Sequence, residues 1–583
     1  MKKFLALLLA LCLMLPAFAL ANGMTDGTYE GSAEGRIGTI IVEVTVASDK
    51  IESVTVKEHH DSAGVSDLPL SRIPEDIVKY QSLGVDTVSG ATITSYGVIN
   101  AAANALEQAG ADVKALRKVE VPHEDMPTED LTCDVVVVGS GMAGQVAAAT
   151  AADQGANVIL VEKQPYLGGT LIIAGGYLVT VDGAHVDDSL DDSLDRVITY
   201  YKKVNEDSVR QPDYDFFAAL AAKTGAAIDY LMDTMGVQME TFDAGNVIMS
   251  HDVAHGAGMT KELTDYFFSK GGTALTSTRA TEILVEDGKA IGVKVENRTG
   301  AYNIYAKKVI IATGGSTYDR EAINANNPEM ATIRLANEAT PGATGDGAHM
   351  MEAIGAKMGN GPFIKSEVPT FPYAFHMDWS NTPNPGDKLI INAEGSRFCN
   401  ENPMLNYMLN TYLLREASPA YYAIYDAAHT DEALLNQIQT IAEKGGKFTV
   451  LHADTAEALA EGLGMEPAAL RATFDAYQAA CAAGVDAEYG KDADHLVAYD
   501  EASGLYAIYL SPTSLGTIGG AITDEEFHVL NTEGQPIENL FAVGECATST
   551  LFGDYYVGSF SLGLYTAAGK TAAETAVAEI NAK

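Results

Sequence analysis

The chain has 583 residues, 47% hydrophobic and 20% charged, enough apolar material for several globular domains. A formal net charge of −42 repels nucleic acid and anionic headgroups, which excludes both as partners of the bulk surface. Beyond Cys12, the cysteines Cys133, Cys399, Cys481 and Cys546 are widely spaced and form no CxxC or CxxCH pattern, so no disulfide scaffold, metal site or c-type haem is expected.

Lys2 and Lys3 precede the apolar run Phe4–Leu15, then Pro16 and the small-residue ending Ala19-Leu20-Ala21. This is the layout of a secretory signal peptide over residues 1–21, so the mature chain is expected to be exported, either secreted or held in the cell envelope. A retained anchor and a lipoprotein box ending at Cys12 stay open as alternatives.

From Gly27 the sequence alternates as strands do. The runs Ile40–Val46 and Ile51–Val56 flank a turn at Ser48-Asp49-Lys50 and predict a hairpin. Asp86-Thr87-Val88-Ser89-Gly90-Ala91-Thr92 then leads into an alanine-rich helix over residues 96–108. Taken on residue type alone, Thr94 or Ser95 caps that helix and Gly90 makes a turn. The Asp-x-x-Ser-Gly-Ala-Thr motif, placed after Gly27-Thr28-Tyr29-Glu30-Gly31, resembles the FMN-binding domain of sodium-pumping quinone reductase subunits. The resemblance implies a small α+β domain over 24–117 with FMN joined covalently to Thr92 by a flavin transferase. Ser89, Gly90 and Ala91 are small enough to leave room for the phosphate. Residues 118–131, with Pro122 and Pro127, read as a linker.

A βαβ unit follows over 134–163. Asp134–Val138 is a continuous apolar strand, Gly139-Ser140-Gly141-Met142-Ala143-Gly144 the tight turn, 145–154 the helix, and Val158–Val161 a second strand ending at Glu162. Glycines at these positions let a pyrophosphate approach the helix N-terminus, while Glu162 is placed for a ribose hydroxyl. A second glycine-rich stretch, Gly168-Gly169-Thr170 with Gly175-Gly176, favours a flavin over a nicotinamide. Val309–Ile311 runs into Ala312-Thr313-Gly314, and Leu540–Val543 into Gly544-Glu545. Gly558 to Gly563, including Ser561 and Leu562, opens a last helix whose N–H groups suit the N1–O2 edge of a reduced flavin.

With these motifs, Thr344-Gly345-Asp346-Gly347 and Gly395-Ser396-Arg397-Phe398-Cys399-Asn400-Glu401, residues 132–583 resemble the flavoprotein family of soluble fumarate reductase, urocanate reductase and 3-ketosteroid Δ1-dehydrogenase. The resemblance implies an α/β protein. A Rossmann-like FAD domain (132–362 and 511–583) is split by an α+β capping domain (363–510), with the substrate between cap and flavin. It adds Lys163, Ala280 and Asp346 to the non-covalent FAD contacts.

The chain departs from that family where fumarate is gripped. The family's two histidines and two arginines fall on Val368, Gly516, Leu405 and Tyr556. A neutral, aromatic pocket is therefore expected, in which a dicarboxylate would lie uncompensated at a cost of several kcal/mol per charge. Tyr555-Tyr556-Val557-Gly558 resembles the Tyr-Pro-Gly segment of ketosteroid dehydrogenases, which makes Tyr556, then Tyr555 and Tyr407, the expected catalytic residues. Tyr373, His376 and Tyr412 are further aromatic candidates in the cap.

The reading is a two-flavin reductase. Electrons from a membrane or extracytoplasmic donor pass through FMN to FAD and on to a C=C bond conjugated to a carbonyl or carboxylate. Fumarate is not the expected substrate, and anaerobic respiration on an organic acceptor is the expected setting. A ketosteroid-type dehydrogenase and a flavin electron carrier without substrate chemistry are the alternatives.

Overall fold

The computed structural model describes residues 23–582 except 62–63, 89, 123–125, 253–254, 366–368, 370, 372–387, 403–405 and 444. The signal segment, Ser89, Val368, Tyr373, His376 and Leu405 thus lie outside the described residues, as does the side chain of Tyr407. Contacts divide the chain after Pro127 into two units.

The first unit is an antiparallel meander of β1 (Gly27–Glu34), β2 (Thr39–Ala47) and β3 (Lys50–Glu58), packed with helices α1 (Asp67–Tyr80) and α2 (Thr92–Gln108). Alternation decides the layer: Ile40, Val42, Val44 and Val46 of β2 are at most 1% exposed and point at the alanine face of α2. Gly31 is where α2 meets β1 backbone to backbone, since a Cβ there would stand 2.1 Å from the Ala101 carbonyl oxygen. The predicted hairpin is β2–β3. The helix starts earlier than the sequence suggests, at Thr92, with Ala91 as its N-cap. Ser95 does not cap it; its hydroxyl donates to the Ala91 carbonyl and accepts the Val88 N–H.

The second unit is built on an eight-stranded sheet with the order β10-β11-β22-β12-β4-β5-β9, and β21 paired to β22. Its parallel centre is β4 (Leu131–Val138), β5 (Val158–Val161), β12 (Ala301–Ile311) and β22 (Pro536–Ala542). The other members are β9 (Thr273–Leu275), β10 (Arg279–Glu286), β11 (Lys289–Glu296) and β21 (His528–Leu530). The central strands read as unbroken apolar runs because both faces are covered: α3 (Met142–Asp153) and α5 (Phe560–Asn581) lie on one side, and a second apolar cluster on the other. Strands β6 (Tyr177–Val179), β7 (Met239–Asp243) and β8 (Ile248–Asp252) form a small separate sheet.

The cap interrupts this domain. Its sheet, order β15-β16-β18-β17, uses β15 (Leu389–Asn392), β16 (Tyr421–Asp426), β17 (Val450–Ala453) and β18 (Leu505–Leu510), with helix α4 (Asn406–Glu416) beside it. The outgoing strand β14 (Phe363–Lys365) pairs antiparallel with the returning β20 (Gly516–Ile518). Just before that, β13 (Ala336–Asn337) pairs parallel with β19 (Thr513–Ser514). The cap therefore hangs on paired connections, which concentrate residues from three stretches of the chain (336–337, 363–365 and 513–518) at one boundary.

Candidate active site

The fingerprint turn does what its glycines require. Gly139 has φ 101°, and a Cβ there would meet the Ala312 carbonyl oxygen at 2.4 Å. A Cβ on Gly144 would meet the Gly139 carbonyl oxygen at 1.9 Å, so strand and helix touch directly. Gly141, the N-cap of α3, faces open space instead, leaving the helix N-terminus clear for an anion. Met142 and Ala143 are buried behind it, and Gly544, with φ 73°, closes onto Ala143.

Glu162 is buried at the end of β5. One of its oxygens accepts from the Ser140 N–H (3.0 Å) and hydroxyl (2.6 Å), the other from the Gln164 N–H (2.8 Å). A carboxylate accepts about four hydrogen bonds, so capacity remains for a ribose hydroxyl. The Ser140 hydroxyl also accepts from Gly168 N–H (3.0 Å), tying the fingerprint to the Gly168-Gly169-Thr170 turn. Thr170 in turn meets Thr340 at 3.3–3.4 Å. Gly175 and Gly176 lead into β6, where Gly176 lies against the backbone of His255.

Lys163, Asp346 and Ala280 are brought together. Lys163 donates to Asp346 (2.9 Å), Arg279 chelates the same carboxylate (2.9 and 3.1 Å), and Ala280 is the buried neighbour of Arg279. Burial would raise the Asp346 carboxyl, but the two cations outweigh it and bring it to about 2. Arg279 is the member of this cluster that the motifs did not single out.

The observed residues fit FAD. Open space stands above Gly141 and Gly314, and the buried Gln164 Oε1 and Ser559 Oγ have no hydrogen-bond partner. Thr313 lies at the end of β12 beside Gly314, and Ser561 and Leu562 form the first turn of α5.

The expectation of a cation-free pocket is corrected here. Lys365, from the connection into the cap, is 4% exposed and donates to Glu545 (2.9 Å), Ser561 (3.1 Å) and the Tyr565 hydroxyl (3.4 Å). Its Nζ stands 5.1 Å from the Tyr556 ring centre. Arg415 of α4 donates to the Tyr555 hydroxyl (2.9 Å) and to Asp554 (2.8 Å), and Arg210 also pairs with Asp554 (2.8 Å). Motif positions could not reveal these cations, because they come from other segments of the chain. Lys365 is matched by Glu545, however, and the two arginines share Asp554, so a dicarboxylate finds little uncompensated charge. Tyr555 is fully buried. Burial raises its phenol above the ordinary range, with Arg415 pulling the other way. Tyr556 is buried edge-on to Phe552, at 5.6 Å between ring centres.

Gly516 carries its own explanation. A Cβ there would stand 2.3–2.6 Å from three atoms of the Glu545 carboxylate. The space that a histidine side chain would need is taken by the Glu545–Lys365 pair.

In the first unit, Thr92 is the exposed first residue of α2, beside the exposed Ile93 and Tyr96. Gly90 has φ 81°, and Thr94 donates to Asp61 at 2.5 Å. Among the described residues no group of His, Cys, Asp and Glu could hold a metal ion, and no helix is long and apolar enough to cross a membrane.

A split sheet domain with a dinucleotide turn, a second glycine loop and an inserted cap defines an FAD-dependent oxidoreductase. The chain belongs to the FAD binding domain family, which matches residues 134–562, and an FMN-binding domain matches residues 35–107. It is 30% identical to the urocanate reductase of Eggerthella lenta, over 96% of this chain and 93% of that protein. It is 27% identical to the NADH:acrylate oxidoreductase of Vibrio harveyi, over 94% of this chain but 61% of that longer protein. The open form of a flavocytochrome c3 fumarate reductase superposes with a TM-score of 0.61 at 25% identity, covering 77% of this chain and 78% of that one.

Proposed function

We propose that the protein is an exported two-flavin reductase that saturates a C=C bond conjugated to a carbonyl or carboxylate, with fumarate a poor substrate. The observation that carries the reading is the Tyr555–Arg415 pair across the boundary between FAD domain and cap, beside Tyr556 and the Lys365–Ser561 contact at the start of α5. The relatives named for acrylate and urocanate reduction support the substrate class, since both names denote unsaturated acids.

When bound, FMN esterified to Thr92 brings in electrons from an extracytoplasmic donor, and FAD supplies the hydride for the β-carbon. The chain's own residues do the rest. The N-terminus of α3 would hold the pyrophosphate of FAD, and Glu162 a ribose hydroxyl. Lys365, bonded to Ser561 in the first turn of α5, would favour negative charge on a flavin edge held at that turn. Burial raises the Tyr555 phenol, which therefore donates a hydrogen bond better than a proton at neutral pH and, with Tyr556 and Tyr407 as the other expected candidates, is proposed for the substrate oxygen where charge develops.

The exposed position of Thr92 at a helix N-terminus, with Ile93 and Tyr96 as an apolar platform, supports FMN attachment by a flavin transferase. Mass spectrometry of the Thr92 peptide is expected to show the added FMN, and Thr92→Ala to lose it while FAD stays bound. The dithionite-reduced protein is expected to be reoxidised by enones or cinnamate-like acids faster than by fumarate. Rapid reoxidation by fumarate alone would overturn the substrate class.

A further inference from the structure

Arginine carries only N–H donors and no acceptor, so in the 2.9 Å contact between Arg415 and the Tyr555 hydroxyl it is the phenol oxygen that accepts. The direction of that bond leaves the phenol's own hydrogen unspent. The Tyr555 hydroxyl makes no other hydrogen bond among the described residues, although the residue is only 1% exposed. Buried hydroxyl hydrogens are ordinarily taken by an acceptor, so this one calls for an acceptor from outside the fold. Asp554, its neighbour in the chain, does not serve. That carboxylate is committed to Arg415 (2.8 Å), Arg210 (2.8 Å) and the Val209 N–H (2.6 Å).

The hydroxyl lies where cap and FAD domain touch. Its partner comes from α4 of the cap, and its own segment runs into Ser559, the N-cap of α5. Tyr556, the next residue, has its ring centre 5.1 Å from Lys365 Nζ, which bonds Ser561 in the first turn of that helix. Three further contacts fix α4 at this boundary. Arg415 binds the Asp554 carboxylate, Thr411 Oγ1 donates to the Asp554 carbonyl oxygen (3.3 Å), and Asn410 exchanges hydrogen bonds with Thr513 of β19 (2.8 and 3.3 Å). Arg210 holds the other Asp554 oxygen, and its guanidinium carbon stands 3.6 Å from the centre of the Phe363 ring on β14. Arg415 thus has one nitrogen on Asp554 and another on Tyr555, a fixed fork that the single ammonium of a lysine does not reproduce.

We infer that Arg415 is a positioning residue of the reductase: from the cap it occupies the acceptor side of the Tyr555 hydroxyl and so turns the O–H hydrogen toward the carbonyl or carboxylate oxygen of the substrate. The inference rests on the reductase function proposed above. As hydride reaches the β-carbon, negative charge grows on that oxygen. A hydrogen bond aimed at it beforehand strengthens there without reorganisation. The charge of Arg415 works in the same direction: burial raises the phenol, and the guanidinium pulls it back, which makes the O–H a stronger donor. An arginine that merely anchored the cap to Asp554 would have no such bearing on Tyr555.

A double-mutant cycle separates the two roles, run on the flavinylated, FAD-loaded full chain with the best acceptor from the screen. Tyr555→Phe is expected to lose on the order of 100-fold in kcat, as for removal of one donor to a developing oxyanion. Arg415→Ala is expected to lose on the order of 10-fold, with KM little changed and Arg415→Lys recovering part. In the Tyr555→Phe background Arg415→Ala should alter kcat by less than about twofold, because no hydroxyl is left to orient. A second readout needs no turnover. Infrared difference spectra of the acceptor bound to the oxidised protein should show its C=O stretch lowered in the wild type and returned toward the unbound value in both Arg415→Ala and Tyr555→Phe. Equal kcat losses from Arg415→Ala in both backgrounds, with the C=O stretch unmoved, identify a cap anchor alone and overturn the inference while the reductase function stands. Where Arg415→Ala does not fold, Arg415→Lys in the two backgrounds decides in the same way. Failure of every unsaturated acceptor to reoxidise the wild type overturns both.

Discussion

Gly516→Ala is the most direct probe of why this family member lacks a histidine at that position. The new Cβ would sit 2.3 and 2.5 Å from the Glu545 carboxylate oxygens and 2.6 Å from the carboxyl carbon, all inside van der Waals contact. The backbone of β20 is fixed by its pairing with β14, so the carboxylate must move. Moving it breaks the 2.9 Å bond to Lys365, whose side chain is 5% exposed, as Glu545's is 12%. Separating a buried pair in this way costs about 3–5 kcal/mol, less whatever Lys365 recovers by staying on Ser561 and Tyr565. The expected result is a clear drop in the apparent denaturation midpoint of residues 128–583, together with faster loss of FAD from the purified protein. FAD release is read by flavin fluorescence and unfolding by circular dichroism. An alanine variant within about 0.5 kcal/mol of wild type and with unchanged FAD retention would refute the reasoning, because it would mean the pair relaxes freely.

Two further outcomes follow from the same structure. Gly144→Ala drives a methyl group to 1.9 Å from the Gly139 carbonyl oxygen, so the variant should lose FAD absorbance while the mass of the first unit's flavin peptide is unchanged. His528 is bonded to Asp524 (2.9 Å) and Glu579 (2.8 Å), and the Asp524 contact is the main cause of its raised pKa, burial opposing it. Its stabilisation is complete below about pH 6.5 and fades as pH rises through the elevated folded value, so His528→Gln should flatten the pH dependence of the melting temperature above pH 6.5.

Much of the fold was legible because it rests on local rules. The βαβ fingerprint shows in sequence since a tight turn needs glycine at 139 and close packing needs it at 144. The alternation of β2 and the apolar runs of β4 and β5 show for the same kind of reason: one face is buried in the first case, both in the second. The site is different. Lys365, Arg415 and Arg210 carry no motif, and each is an ordinary charged residue in its own stretch of chain.

What the sequence alone determined is therefore the cofactor frame: a dinucleotide turn ending at Glu162, a second glycine loop, and a Gly-Ala-Thr step at the start of a helix. Those features are encoded by residues a few positions apart, within reach of one turn or one strand. What only the tertiary structure decided is the charge and acidity of the cleft. The paired strands β14/β20 and β13/β19 bring together residues more than a hundred positions apart, matching Lys365 to Glu545. Burial and neighbouring charge are properties of that assembled boundary, and they set which groups hold a proton.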